Sequence, residues 1–153
     1  MGELIRLRCE GDGSGKRFLC GNIETGHVSL KSGTAVGTKW LMVPTGGTNE
    51  FKFLCTEVFI PDFLITSTFD QPVYLDGNIF NGEVKLVNTT EPPFTGTRWF
   101  KAEGGESTSF TCLGAGGEAD APRLLDGWVG MGTVQLRQAA AIFTGTKWTV
   151  VNV

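Results

Sequence analysis

One pattern occurs three times along the chain and restricts the fold more than any other feature of the sequence. Each copy contains Leu-x-Gly, a short turn, Gly-x-Val-x-Leu, a variable loop and Gly-Thr-Lys/Arg-Trp. The tryptophans that end the copies, Trp40, Trp99 and Trp148, recur roughly every 50 residues, which is a period typical of repeat architectures. Such units cannot bury their apolar faces alone, so the three copies predict one domain that packs them together.

The chain has 153 residues, of which 41% are hydrophobic, enough for one sizeable core. We therefore predict a single domain over 1–153. The approximate repeat boundaries are 1–48, 49–104 and 105–153.

Each repeat is predicted to consist of short β-strands. Apolar and polar residues alternate around Val28, Val84 and Val134, which places Val and the following Leu on one face of a half-buried strand. Glycine-rich turns precede these runs, as hairpins require. No stretch longer than about ten residues has the 3.6-residue apolar period of a helix. The prediction is an all-β fold with four strands per repeat and about twelve in total.

The cysteines follow the repeat as well. Cys9, Cys55 and Cys112 end an equivalent strand-like run in each copy, whereas Cys20 stands where the other repeats have Asp. Residues repeated by symmetry are better explained as small buried apolar groups than as bridging pairs. A bridge between Cys9 and Cys20 is the alternative, but the lack of C-x-x-C spacing and of a secretory signal favours free thiols.

Three units of about four strands, each closed by a strand that carries Trp, resemble the β-trefoil superfamily over essentially the whole chain. The resemblance implies a six-stranded barrel capped by three hairpins, with pseudo-threefold symmetry and no exposed sheet edge. The Asp-Gly hairpin and the terminal Trp look most like ricin-B-type lectin domains, and Tyr-Leu-Asp-Gly also resembles fascin-like actin-crosslinking modules. The galactose-binding Asp of ricin-type domains falls on Arg17, Val73 and Arg123, so the familiar galactose pocket is missing.

Residues that break the repeat are the first candidates for function, because symmetric residues serve the common core. Trp128 replaces the equivalent Asn22 and Asn78; it either offers a flat face to a sugar or a partner, or folds back over its own hairpin. Asp76 and Asp126 either fix turns by accepting backbone N–H bonds or hold a sugar diol.

The single histidine, His27, completes this set as a turn residue. The predicted carbohydrate-binding residues are Trp128, Asp126, Asp76, Asn78, Asn22 and His27. Phe80 and Asn81 are weaker candidates in corresponding turns.

Composition excludes several classes of function. A net charge of −3 and a pI near 5.1 speak against nucleic acid as a partner. No run reaches the roughly 18 apolar residues of a membrane span, and the first residues lack the apolar run of a signal peptide. We therefore expect a cytoplasmic protein, or one exported by an unconventional route. One His, no Gly-x-Ser-x-Gly elbow and no metal-ligand cluster predict a protein that is not an enzyme and uses no metal or cofactor.

The second repeat contains an insertion. The interval from Cys55 to Tyr74 is about twice that from Cys9 to Phe18, and the extra segment carries apolar residues from Phe59 to Phe69. Exposing such an apolar loop to solvent would be costly. The insertion therefore either forms an extended hairpin or covers a partner subunit. We predict an extended hairpin that forms a homodimer contact.

The favoured function is a non-catalytic, lectin-like module that binds glycans or glycoproteins through one to three shallow sites, with multivalency raising a weak single-site affinity. The alternative is a protein-binding β-trefoil, either a fascin-like contact with actin or the cytoskeleton or a protease inhibitor. In that alternative the insertion would be the contact surface.

Overall fold

The computed structural model describes residues 2–11, 17–60, 63–66, 73–90, 95–104, 107–117, 121–138 and 144–153. Within these ranges the chain forms strands and two single 3-10 turns, Thr95–Thr97 and Thr144–Thr146. Neither turn approaches the length and apolar character with which a helix crosses a membrane. The strands are β1 Glu3–Cys9, β2 Arg17–Gly21, β3 Val28–Lys31, β4 Trp40–Pro44, β5 Glu50–Cys55, β6 Glu57–Ile60, β7 Phe63–Thr66, β8 Tyr74–Gly77, β9 Val84–Val87, β10 Trp99–Gly104, β11 Ser107–Cys112, β12 Leu124–Trp128, β13 Thr133–Arg137 and β14 Trp148–Asn152.

Six antiparallel strands close into a barrel. Strand β1 pairs with β4 and β14, β5 pairs with β4 and β10, and β11 pairs with β10 and β14. The ring of pairings therefore returns to its starting strand. Closure of this kind removes the unpaired edges of an open sheet, as the sequence predicted.

Three hairpins, β2–β3, β8–β9 and β12–β13, cap one end of the barrel. The carbonyl of a turn glycine in each hairpin accepts a hydrogen bond from a leucine N–H of another hairpin. These bonds join Leu86 to Gly26 at 2.9 Å, Leu136 to Gly82 at 2.8 Å and Leu30 to Gly132 at 2.9 Å. Barrel and cap together use twelve strands with pseudo-threefold symmetry, so the chain has the β-trefoil fold.

The repeated tryptophans are core residues. Trp40, Trp99 and Trp148 are fully buried. Each indole Nε1 donates a hydrogen bond to the carbonyl of the Leu in its own Leu-x-Gly segment, over 2.9, 3.1 and 2.9 Å respectively. The rings of Phe53 and Phe110 pack edge to face within the barrel, with 5.2 Å between their centroids. The structural role predicted for the three tryptophans is confirmed.

Four free thiols lie buried in the described chain, which supports the prediction of reduced cysteines. Three of them join neighbouring repeats by donating to two glycine carbonyls. Cys9 Sγ lies 3.5 Å from Gly127 O and 3.7 Å from Gly145 O, Cys55 Sγ lies 3.6 Å from Gly21 O and 3.9 Å from Gly37 O, and Cys112 Sγ lies 3.5 Å from both Gly77 O and Gly96 O. Burial raises the pKa of Cys112 to about 11 and also raises the pKa of Cys9.

Alkylation of the cysteines is expected to distinguish native from unfolded protein, because a buried, protonated thiol is a poor nucleophile. Native protein treated with iodoacetamide at neutral pH should remain unlabelled over minutes, whereas protein in denaturant without reductant should take up four labels by mass spectrometry. Two labels instead of four under those denaturing conditions would indicate a disulfide such as Cys9–Cys20.

The insertion forms a hairpin of its own. Strands β6 and β7 pair antiparallel, with Glu57 opposite Thr66 and Ile60 opposite Phe63. They make a separate two-stranded sheet and do not lengthen β5 or β8. The insertion thus forms a hairpin as predicted, but as a separate sheet and not as an extension of the flanking strands. Positions 61–62 and 67–72, which include Phe69, lie outside the described residues, and the homodimer contact stays a prediction.

Candidate ligand-binding grooves on the hairpin cap

Strand register brings the predicted site residues together in pairs. Residues two apart on a strand point to the same face, so Asp126 shares a face with Trp128, and Asp76 shares one with Asn78. Across β12–β13, Asp126 lies opposite Gln135, Trp128 opposite Thr133 and Leu124 opposite Arg137. The six predicted residues are therefore distributed over the faces of three hairpins and do not form one site.

Each of these faces is bordered by the turn of another hairpin. Thr133 pairs with Ser29, His27 pairs with Lys85, and Glu83 pairs with Gln135. We call the face of β2–β3 beside Thr133 the first groove, the face of β8–β9 beside His27 the second groove, and the face of β12–β13 beside Glu83 the third groove.

The third groove contains Trp128, whose side chain is 55% exposed. Its indole Nε1 lies 3.5 Å from the position that a Cβ on Gly130 would occupy, so the ring leans on its own turn. Both arrangements predicted for Trp128 are therefore present: the ring packs on its own hairpin, and about half of its surface stays exposed to solvent. A flat aromatic surface of this kind can stack on the apolar face of a sugar ring.

Beside Trp128 lies a pair of opposite charges. Asp126 is only 6% exposed, and its Oδ2 lies 3.7 Å from Nε of the half-buried Arg137. Burial raises the pKa of Asp126, and the guanidinium of Arg137 opposes that rise. Gln135, also half-buried, stands opposite Asp126. This face offers planar polar groups next to an aromatic ring.

The second groove has a different charge arrangement. Asp76 is 5% exposed, and its Oδ1 has no hydrogen-bond partner among the described residues. Burial raises the pKa of Asp76 to about 6, with Lys85 acting in the opposite direction. Lys85 Nζ lies 3.8 Å from Glu83 Oε1 at the groove surface, where Asn78 is also exposed.

The turns are held by asparagines. Asn22 Oδ1 accepts hydrogen bonds from the N–H groups of Glu24 and Thr25 at 3.0 and 3.3 Å. Asn78 Oδ1 accepts from the N–H groups of the second and third residues after it, at 2.9 and 3.4 Å. These are Asx turns. The prediction that Asp76 and Asp126 fix the turns is wrong: Asn78 accepts from the turn amides of the second hairpin, and the charged partner of Asp126 in the third is Arg137.

The first groove encloses a cavity of about 590 Å³. Asn22 and His27, both exposed, belong to its lining together with residues that the sequence did not single out. The latter include Ser29, Lys31, Val36 and Met131. A second cavity of about 1230 Å³ adjoins it among all three hairpins, where Val28, Val84 and Val134 contribute to its lining, and His27 borders both cavities.

Gln135, Arg137, Lys31 and Met131 are therefore the groove residues that sequence reasoning missed. The period-two pattern of β3 and β13 could have placed Lys31, Gln135 and Arg137 on the correct faces, whereas Met131 lies in the turn before β13. Among the residues that the structure describes, no group of three or more His, Cys, Asp or Glu side chains could hold a metal ion.

Neither a protein-family profile nor a curated protein sequence matches this chain. Solved structures do resemble it. The Polyporus squamosus lectin bound to the epitope Neu5Acα2-6Galβ1-4GlcNAc matches with 13% identity and a TM-score of 0.68, over 97% of this chain and 48% of the lectin. SeviL bound to asialo-GM1 saccharide matches with 10% identity and a TM-score of 0.63, over 100% and 99% of the two chains.

An enzyme is similar as well. The GlcNAcα1-4Gal-releasing endo-β-galactosidase from Clostridium perfringens has 14% identity and a TM-score of 0.65, over 98% of this chain and 32% of the enzyme. This chain thus spans about half or less of the lectin from Polyporus and of the galactosidase. At these identities the likeness shows the β-trefoil fold alone.

Proposed function

We propose that the protein is a non-catalytic carbohydrate-binding module and that the third groove is its principal site. The observation that carries the proposal is the half-exposed ring of Trp128 beside the Asp126–Arg137 pair. The indole stacks on the C–H face of a sugar ring, while Arg137 and Gln135 donate hydrogen bonds to hydroxyl groups. An apolar face combined with a few oriented polar groups is the usual content of a small-molecule site.

The saccharide complexes of the Polyporus lectin and SeviL support this proposal, because they show that the fold accommodates sugar binding. The non-catalytic part rests on the chemistry of the groove. A glycosidase generally needs one carboxyl group that donates a proton and a second one that acts as base or nucleophile. Asp126 is only 6% exposed and lies beside Arg137, so we propose that it orients the guanidinium toward a ligand and does not reach a glycosidic oxygen as an acid.

The threefold arrangement is the basis on which we propose multivalency. The three grooves are equivalent in position but differ in side chains, so we propose that more than one of them binds a saccharide. Two weak sites on one rigid scaffold can bind a branched or clustered glycan much more tightly than either site alone.

Replacing Trp128 with alanine is expected to weaken binding of lactose or of the asialo-GM1 saccharide by about three- to tenfold, the range expected from loss of one aromatic stacking contact. Isothermal titration calorimetry measures this directly. Phe100→Ala is the matched control, because Phe100 is exposed on the barrel strand β10, away from the hairpins, and is expected to leave the affinity unchanged. Unaltered affinity in Trp128→Ala, with the protein folded, would rule out the third groove as the principal site.

A protein partner is the second candidate, and the separate β6–β7 hairpin favours it, since this element lies outside the twelve-stranded sheet. We propose that such a partner, or a second copy of the chain, binds the insertion. Phe63→Ser should then abolish the complex or the dimer in sedimentation experiments while saccharide binding persists. A monomeric wild-type protein that captures no partner would leave this candidate unsupported.

A further inference from the structure

The first groove differs from the other two at one buried position. Cys20 occupies the place that Asp76 and Asp126 hold in the second and third grooves. Lys31 and Arg137 are equivalent, since Lys31 lies opposite Phe18 in β2–β3 just as Arg137 lies opposite Leu124 in β12–β13. The cation is retained in the first groove, and the carboxylate that accompanies it in the third groove is replaced by a thiol.

This replacement leaves Lys31 without a counter-ion. In the third groove, Asp126 Oδ2 lies 3.7 Å from Arg137, whereas Cys20 Sγ donates a hydrogen bond to Val36 O at 3.2 Å. Lys31 is exposed and makes no ion pair with any residue within the described ranges. A solvent-facing ammonium group in a groove is thus available to an anionic ligand.

The acidic group that lines this groove lies at its far end. Glu24 belongs to the turn, while Lys31 is the last residue of β3, three residues beyond Val28. At about 3.3 Å per residue the strand alone separates Lys31 from the turn by about 10 Å. The groove is therefore positive at the Lys31 end, and the negative charge of Glu24 is largely screened there in physiological salt.

The walls around Lys31 suit a substituted sugar. Ser29 shares its strand face and supplies a hydroxyl group that can donate or accept. Val36 and Met131, which are 39% and 64% exposed, add apolar surface to the same cavity of about 590 Å³. A cavity of this size is within the range that accommodates a small ligand.

We infer that the first groove binds an acidic saccharide, with Lys31 Nζ contacting a carboxylate or sulfate group of the sugar. Ser29 donates a second hydrogen bond to the anion, and Val36 and Met131 pack against the ring. The inference rests on the proposed carbohydrate-binding function and assigns a ligand class to a groove other than that of Trp128.

The test compares lactose with its two acidic derivatives, 3′-sialyllactose and lactose 3′-sulfate, by calorimetry on the full chain. Wild-type protein should bind at least one derivative about fivefold more tightly than lactose, as expected for one exposed ion pair. That advantage should disappear in Lys31→Gln and shrink as the salt concentration rises from about 0.02 M to about 0.5 M. Lys147→Gln, which removes an exposed lysine elsewhere, is the matched control and should retain the advantage.

Cys20→Asp provides a second variant, because it restores the carboxylate of the other two grooves. It should abolish the preference for the acidic sugars while Lys31 remains present, with thermal unfolding used to check the fold. Preference for the sialylated probe alone would identify a carboxylate ligand, and preference for the sulfated probe alone would identify a sulfate ester.

Equal affinity for lactose and both derivatives would overturn the inference, as would an acid preference that survives in Lys31→Gln. In either case lactose binding that is weakened in Trp128→Ala would leave the proposed function standing. The absence of binding to all three probes by folded protein would overturn both.

Discussion

Gly96→Ala is expected to destabilise the protein by about 4 kcal/mol, a large part of the stability of an ordinary domain. A Cβ at this position would lie 1.8 Å from Gly77 O and 2.9 Å from the Gly77 carbonyl carbon. The backbone has little freedom to move aside, because Cys112 Sγ binds the carbonyls of both glycines at 3.5 Å. The free energy of unfolding from urea titration measures the effect.

Equivalent substitutions test whether the effect belongs to the repeated geometry. Gly145→Ala should have a similar cost, since its Cβ would lie 1.8 Å from Gly127 O. Gly104→Ala is the control, because nothing lies within 4 Å of its Cβ position. A change below about 0.5 kcal/mol in Gly96→Ala, the level of an ordinary surface substitution, would contradict the close approach of the two backbones.

These glycines illustrate what the sequence can and cannot predict. The threefold repeat with its Gly-Thr-Lys/Arg-Trp signature predicted one domain built from three equivalent units, and its resemblance to the β-trefoil superfamily implied how those units are arranged. The reason for the glycine was not predictable. It depends on the contact between Gly96 and Gly77, which comes from packing between segments distant in sequence.

The grooves were less predictable than the fold, for a related reason. Period-two alternation pairs Asp126 with Trp128 on one face, and that part can be derived from the sequence. The border of each groove depends on contacts between hairpins, such as Ser29 with Thr133, which join residues far apart in the chain. Period-two alternation can place Lys31 and Gln135 on a strand face, but it does not show that this face borders another hairpin.

The roles of Asp76 and Asn78 show the same limit at shorter range. Both residue types can accept hydrogen bonds from turn amides, so composition alone does not decide which one does. The structure gives that role to Asn78 and leaves Asp76 Oδ1 without a partner among the described residues. A buried carboxylate in this condition costs stability when it is ionised.

Asp76→Asn is therefore expected to stabilise the protein above pH 7 by about 2 to 3 kcal/mol, since one pKa unit corresponds to about 1.4 kcal/mol. Burial raises the pKa of Asp76 to about 6, compared with about 3.9 for an unfolded Asp. The folded state thus favours the protonated carboxyl group. The contribution of the protonated carboxyl group to the free energy of unfolding is complete below about pH 4 and is lost as the pH rises through about 6.

The difference in unfolding free energy between Asp76→Asn and wild type should consequently be near zero at pH 4 and grow to a plateau above pH 7. Lys85 compensates part of the cost, whereas Cys112, the other titratable neighbour, is protonated throughout this range. Asp126→Asn is the matched control, with a smaller gain expected because it deprives Arg137 of its counter-ion. A difference that stays constant from pH 4 to pH 8 would mean that folding does not raise the pKa of Asp76. The burial of Asp76 beneath the second groove predicts the opposite result.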